Sequence, residues 1–185
     1  MDTIYTLHNS ELRHLSALDN ARLDSGDLIT SIHHESGRCE VQAVFDCAPA
    51  VLMGLITNYE DMPDHIFGLE QVDLLERYRD VLTLRFTMKL PFPIGKIVWS
   101  NVIKTTSTGS GHSLEWTLVE GDLKRNEGSL ILLNHRGNPN RTYARYSVSV
   151  QSAMNFPKKV ELMMTRWLVP RVVEKLRRVA EAANH

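Results

Sequence analysis

The second half of the chain contains strand-like segments in which apolar residues recur at every second position, and this feature limits the possible folds most strongly. In residues 81–90, Leu84, Phe86 and Met88 alternate with polar residues, which predicts an antiparallel strand with one buried face. Further strands are predicted at 97–105, 112–120, 128–135 and 141–153, with turns at 109–111, 121–126 and 137–140. These segments predict a meander. In residues 68–78 the apolar residues occupy both odd and even positions, which indicates a bulge or a register shift in the strand.

Helices are predicted on both sides of this region. Apolar residues at helical spacing predict a helix that starts near Pro49, and Pro63 requires the axis to turn or restart after Tyr59. A long helix is predicted from Pro157 to about residue 182. A strand pair at 28–34 and 39–47 and a short helix at 9–20 complete the elements. An antiparallel sheet with helices on one face is the α+β layering.

Length and charge narrow the class of protein. A chain of 185 residues has the length of one domain. We divide the chain into an N-terminal helical extension at 1–27 and a single domain at 28–185. A formal net charge of −1 argues against a dedicated nucleic-acid partner. No segment has the length of apolar sequence that a membrane span needs, and the first residues do not resemble a signal peptide. We therefore expect a cytoplasmic protein.

Few residues suggest metal or redox chemistry. Cys39 and Cys47 share the apolar parity of one strand, which predicts two small buried side chains that do not pair with each other. His33 and His34 precede Glu35, but adjacent strand residues point to opposite faces. We expect no metal site and no cofactor, because zinc-ligand, phosphate-loop, nucleophile-elbow and dinucleotide patterns are missing from the sequence.

The order of several motifs resembles a known family. Residues 48–63, APAVLMGLITNYEDMP, are similar to the AP-x-x-V-W-x-v-L-T-D-Y-E-x-x-P segment of the START-like (SRPBCC) superfamily, specifically its polyketide cyclase/dehydrase and coenzyme Q-binding branch, which includes lipid transport proteins. VEGDLKRNEGSL and RTYARYSVSV resemble later segments of that branch. The similarity extends from about Cys39 to Ala182. It departs from the family at Met53 and Asn58, where the family commonly has Trp and Asp.

This resemblance implies the helix-grip fold, a curved antiparallel sheet wrapped around a long C-terminal helix with a hydrophobic cavity between them. It also implies binding or carriage of a lipid, quinone, sterol or polyketide in an internal tunnel. Two alternatives stay open. One is a polyketide aromatase/cyclase that acts on a ligand in the same tunnel, and the other is a non-catalytic interaction module with a solid core.

Side-chain parity gives a candidate ligand site. The apolar faces of four predicted strands point the same way, toward the terminal helix, although a solid core has the same periodicity. Methionine suits a cavity wall that adapts to different ligands. The predicted ligand-binding residues are Tyr59, Leu84, Phe86, Met88, Trp99, Asn101, Trp116, Tyr146, Val148, Met163, Met164 and Trp167.

Catalysis and partner contacts have weaker candidates. Asp64 and His65 would act as an acid/base pair at the tunnel mouth, and Asn101 and Tyr146 would direct polar groups into it. For Asp64 and His65 the favoured interpretation is a pair of solvated cap residues. For Asn101 and Tyr146 a structural hydrogen bond inside the core explains the residue at least as well. The terminal helix carries an excess of basic residues, which is typical of a solvated face. Its functional interpretation is a transient contact with an anionic membrane or an acidic carrier protein.

Overall fold

The computed structural model describes residues 15–33, 38–92, 95–109, 111–153 and 158–183, with side chains from residue 167 onward in the last range. Eight strands form one antiparallel sheet in the order β1-β2-β8-β7-β6-β5-β4-β3. The strands are β1 (Ile29–His33), β2 (Arg38–Phe45), β3 (Leu69–Tyr78), β4 (Val81–Leu90), β5 (Gly95–Thr108), β6 (Gly111–Gly121), β7 (Leu123–His135) and β8 (Asn138–Ser152). The helices are α1 (Ala17–Asp24), α2 (Pro49–Thr57), α3 (Met62–His65) and α4 (Lys158–Ala183).

The predicted α+β class and meander are confirmed. Strands β3 to β7 are each paired with the next strand in the chain, and β2 pairs with β8. The irregularity predicted near β3 is also present, because the β3–β4 pairing shifts register between Leu69 and Gln71 and again between Leu74 and Glu76. The meander places the inner faces of seven strands around α4.

Two predicted turns were too long. Strand β7 begins at Leu123, so residues 123–126, three of which are polar, belong to a strand and not to the predicted loop at 121–126. Likewise β8 begins at Asn138, after a two-residue turn formed by Arg136 and Gly137 at φ of 51° and 76°. Positive φ at both residues is the type I′ geometry that matches strand twist. Polar residues on the solvent face of a strand were mistaken for loop.

The short helix before the sheet differs from its prediction. Residues 9–14 lie outside the described residues, and α1 begins at Ala17 and ends four residues beyond the predicted end. The Ser16 side chain accepts a hydrogen bond from the backbone N–H of Asp19 at 3.0 Å and so caps the helix. Leu23 is completely buried and anchors α1 to the sheet.

The sheet has a core on each face, and the broken helix and the terminal helix share one of these faces, as predicted. Helices α2 and α4 cover the inner face, where Ala43 and Ala144 lie opposite each other. On the outer face, α1 buries a smaller cluster of Leu23, Val44, Leu133 and Tyr143. Neighbouring strand residues point to opposite faces, so β2 contributes to both cores.

The predicted interruption of the first inner helix is confirmed. Helix α2 ends at Thr57, and the chain bends before α3 begins at Met62. The Asn58 side-chain amide donates to Asp61 Oδ2 at 2.7 Å across the bend. Cys39 and Cys47 are buried free thiols, as expected, and burial raises the pKa of both.

Candidate ligand cavity

A cavity of about 270 Å³ lies between the inner face of the sheet and α4. The strands contribute large apolar side chains, including Phe86, Trp99 and Trp116, and α4 contributes apolar residues from Leu168 to Leu176. Helices α2 and α3 add Leu52, Ile56 and Met62 to the wall. Among the described lining residues only Asn101, Asn126 and Tyr146 are not hydrophobic, so the space is almost entirely apolar.

Half of the predicted ligand-binding residues line this cavity. They are Phe86, Met88, Trp99, Asn101, Trp116 and Tyr146. The ring of Phe86 stacks on Trp99 at 5.4 Å between centroids, and Trp116 stacks on Tyr146 at the same distance. The first pair joins the neighbouring strands β4 and β5, whereas the second pair reaches across β7 from β6 to β8.

The other predicted ligand-binding residues lie elsewhere. Leu84 and Val148 are buried in the core cluster but do not line the cavity. Tyr59 lies in the bend after α2, where the guanidinium of Arg77 is 5.8 Å from its ring centroid. The side chains of Met163 and Met164 lie outside the described residues. Trp167 does not line the cavity and packs edge-on against Phe67 at 5.5 Å.

Sequence reasoning missed several lining residues, including all those on α2, β2 and β7. Among the α4 residues with described side chains, those that line the cavity follow Trp167 and include Val169, Val172 and Val173, whose apolar spacing was visible in the sequence. Asn126 was missed because it falls within the polar segment that was interpreted as a loop. In the structure it is a buried residue of β7.

Asn101 and Asn126 connect the indoles of two tryptophans. Trp116 Nε1 donates to Asn126 Oδ1 at 3.1 Å. With its amide oriented to satisfy its neighbours, Asn101 Oδ1 accepts from Trp99 Nε1 and from Asn126 Nδ2, both at 3.2 Å. In the same orientation, Asn101 Nδ2 donates to the Ser100 carbonyl at 3.3 Å. This network places amide groups in an apolar wall without leaving the indole N–H groups unpaired.

Tyr146 adds a hydroxyl to the same cavity. Burial raises the pKa of Tyr146, and the neighbouring Cys39 contributes further, so the phenol is neutral and carries its proton at physiological pH. Within the described part of the chain, its hydroxyl has no hydrogen-bond partner. It therefore remains able to donate to or accept from a molecule in the cavity.

Gly128 makes room for the Trp116 indole. A Cβ at Gly128 would overlap the Trp116 ring and the Ser147 carbonyl. Gly128 lies opposite Trp116 in the β6–β7 pairing, so the missing side chain is on the face that the indole occupies. The glycine thus fixes the position of one cavity wall.

The predicted acid/base pair lies outside the cavity. Asp64 is exposed on α3, and His65 donates from Nδ1 to the Leu55 carbonyl at 3.1 Å. Neither residue lines the cavity, whereas Asn101 and Tyr146 do. The four catalytic candidates are therefore not brought together.

Part of the basic character of α4 is used inside the fold. Lys175 Nζ donates to the carbonyls of Pro63 and Ile66 at 3.0 and 3.4 Å, and Arg177 donates to the Val44 carbonyl at 3.2 Å. Arg171 is exposed and lies 4.3 Å from the ring centroid of Trp167. Arg178 is exposed to solvent.

The described residues contain no group of three or more His, Cys, Asp or Glu side chains that would hold a metal ion. No helix among them combines the length and the apolar character needed to cross a membrane.

Comparison with solved structures identifies the fold. Human StAR-related lipid transfer protein 5 superposes with a TM-score of 0.75 at 10% identity, covering 98% of this chain and 96% of that protein. The Zhui aromatase/cyclase from Streptomyces sp. R1128 gives 0.68 at 8% identity, covering 80% of this chain and 95% of the enzyme. A START superfamily protein from Mycobacterium smegmatis gives 0.66 at 13% identity, covering 79% and 98%.

Sequence comparison adds no closer assignment, since no protein-family model and no curated protein sequence matches the chain. The structural likeness and the topology agree with the resemblance seen in the sequence. The chain has the START-like helix-grip fold, in which a curved antiparallel sheet encloses the C-terminal helix.

Proposed function

We propose that this protein binds or carries a hydrophobic small molecule in the cavity between the sheet and α4. The observation that supports this proposal is the cavity of about 270 Å³ with its apolar wall. An unfilled space of this size inside a core costs packing energy, because its lining loses contacts that a solid core would make. A ligand would restore those contacts. The similar structures include a lipid transfer protein and an aromatase/cyclase.

The cavity volume limits the size of the enclosed part of the ligand. At about 30 Å³ per water-sized group, the space holds roughly nine such groups. Burying about eight methylenes at about 0.8 kcal/mol each gives roughly 6 kcal/mol of gross stabilisation. This corresponds to a Kd of tens of micromolar before the costs of ordering are subtracted. A larger lipid, sterol or polyketide would extend beyond this cavity.

The alternative of an aromatase/cyclase is less well supported. General acid/base catalysis needs a proton donor or acceptor within hydrogen-bonding reach of the reacting atom. Among the described residues of the cavity wall there is no carboxylate and no histidine, and Asp64 and His65 lie outside it. Tyr146 does line the cavity, but burial raises the pKa of its phenol and makes it a weaker acid. A closed interaction module is also disfavoured, because the core contains a cavity.

Delivery of the ligand would involve a surface near α4. Arg171 and Arg178 are the described basic residues of this helix that are exposed, although Arg171 also donates to the Trp167 carbonyl at 2.8 Å. Lys175 and Arg177 are half-buried and donate to backbone carbonyls of other elements. We include in the proposal a transient contact of this exposed part of α4 with an anionic membrane or an acidic carrier protein.

Native mass spectrometry of the purified protein, followed by extraction with organic solvent, tests the proposal. We expect a bound apolar compound, or uptake of one equivalent of a medium-chain compound by protein that has been stripped. Repeatedly empty preparations that also take up no medium-chain compound would contradict it. Lysozyme handled in the same way controls for non-specific adhesion.

A further inference from the structure

We propose that the polar wall of the cavity selects a neutral ligand that presents a carbonyl-type oxygen, and this inference rests on the proposed binding function. Three described residues supply the polar groups of this wall: Asn101, Asn126 and Tyr146. What distinguishes possible ligands is which donors and acceptors remain after the internal hydrogen bonds are formed.

The side-chain oxygen of Asn101 already accepts as many hydrogen bonds as it has lone pairs. Its Oδ1 accepts two hydrogen bonds, from Trp99 Nε1 and from Asn126 Nδ2. A side-chain amide oxygen has two lone pairs and the nitrogen has two hydrogens. Because Asn101 Nδ2 gives one hydrogen to the Ser100 carbonyl, one N–H remains for a ligand.

The side-chain amide of Asn126 also forms hydrogen bonds within the wall. Its Oδ1 accepts from Trp116 Nε1, and its Nδ2 gives one hydrogen to Asn101. One N–H of Asn126 therefore remains as well. Together with the Tyr146 hydroxyl, the wall offers three donor hydrogens, one from each residue. One lone pair of Asn126 Oδ1 and the phenol oxygen of Tyr146 remain as neutral acceptors. A ligand oxygen that accepts hydrogen bonds would engage the three donors.

The charge of the wall argues for a neutral ligand. None of the described residues that line the cavity is charged. A buried carboxylate would meet amide and hydroxyl donors but no cation, and its desolvation would be poorly compensated. A buried ammonium would meet neutral acceptors and no carboxylate, so its desolvation would also be poorly compensated. A ketone, aldehyde, ester or quinone carbonyl needs only the hydrogen bonds that are present.

A set of ligands with equal chain length tests this selection on the unaltered protein. The set comprises octan-2-one, 2-methyl-1-octene, octanoate and octylammonium. In the alkene, a methylene replaces the carbonyl oxygen while the shape is kept. Titrations are followed by NMR through the side-chain amide resonances of Asn101 and Asn126 and the indole N–H of Trp116.

We expect octan-2-one to bind roughly threefold to tenfold more tightly than the alkene, which is the effect of one net hydrogen bond. Octanoate and octylammonium are expected to bind at least about tenfold more weakly than the ketone. Equal binding of the ketone and the alkene, or a preference for octanoate, would overturn the selection while leaving the proposed binding function intact. Binding of no member would overturn both.

Substitutions at Tyr146 and Asn101 test whether the polar residues of the cavity wall cause the preference for the ketone. Tyr146→Phe retains the ring that stacks on Trp116 and removes the hydroxyl, so the ketone preference should fall about threefold. Tyr143→Phe is the matched control, because it removes a hydroxyl that bonds Gln42 in the outer core. Asn101→Leu should remove most of the preference. An unchanged preference in both Tyr146→Phe and folded Asn101→Leu would contradict the assignment.

Discussion

Lys175 Nζ on the terminal helix donates a hydrogen bond to the Pro63 carbonyl at 3.0 Å. A second donation, to the Ile66 carbonyl at 3.4 Å, ties α4 to both ends of the chain segment around α3. A charged donor thus binds the Pro63 carbonyl within the four-residue helix and adds a second donor to the Ile66 carbonyl, which also accepts from the Leu69 N–H at 3.4 Å. The contact holds the interrupted helix against the element that closes the cavity.

We predict that Lys175→Met destabilises the protein by about 1–2 kcal/mol. The substitution keeps an unbranched apolar stem and removes the charged donor, and hydrogen bonds from charged groups contribute about 1.5–3 kcal/mol. Urea unfolding followed by far-UV circular dichroism measures the change. Arg178→Met, at an exposed position of the same helix, is the control and should change stability by less than about 0.5 kcal/mol. Equal effects of the two substitutions would show that the Lys175 contact is not stabilising.

Two glycine substitutions should have opposite effects. In Gly128→Ala the new methyl group would overlap the Trp116 ring and a backbone carbonyl, so we expect a loss of about 2 kcal/mol or more. In Gly54→Ala nothing lies within 4 Å of the new methyl group, and alanine favours the helix by about 0.5–1 kcal/mol. Thermal unfolding measures both, and tryptophan fluorescence reports displacement of Trp116. A neutral Gly128→Ala would contradict the described packing of the indole.

Acid should weaken the contact between α1 and the sheet. His135 Nε2 lies 2.7 Å from Asp24 Oδ1, and this hydrogen bond, aided by Arg136 and Arg141, lowers the pKa of Asp24. A carboxylate with a lowered pKa in the folded state contributes stability that is complete above its unfolded pKa, near 3.9. This contribution is lost as the pH falls through that value toward the lowered folded pKa.

The measurement is the free energy of unfolding between about pH 5 and pH 2. Asp24→Asn should lose less stability over this range than the unaltered protein does. Asp27→Asn is the control, since the Asp27 carboxylate lies at an exposed position, where it pairs with Arg22 at 3.4 Å. Parallel pH profiles for the unaltered protein and Asp24→Asn would contradict the role of this contact.

The fold was largely predictable because its main elements have strong periodic patterns. The alternation of Leu84, Phe86 and Met88 fixed the face of β4, and Pro63 marked the bend between α2 and α3. The first residues of β7 include the exposed Lys124 and Arg125, so this part of the strand was predicted to be a loop. Asn126 was assigned to the same loop. Local sequence does not reveal which face of a strand meets solvent when the segment is mostly polar.

The site was less predictable than the fold. Parity identified Trp99, Asn101 and Trp116 as inward-facing, but it does not separate residues that line a cavity from residues that fill the core, such as Leu84 and Val148. That difference depends on how far α4 stands from each part of the sheet. It is a property of tertiary packing, which single-strand patterns do not contain.

Filling the cavity tests the central claim most directly. Ala144 lies on the cavity wall, and Ala144→Leu adds three carbons to that space. Ala21→Leu makes the same change at an exposed position of α1 and serves as the control. The measurement is the affinity of each variant for octan-2-one by NMR titration. We predict that Ala144→Leu, still folded, binds at least about tenfold more weakly than the unaltered protein, while Ala21→Leu is unchanged. Undiminished binding by Ala144→Leu would place the ligand elsewhere and contradict a function based on this cavity.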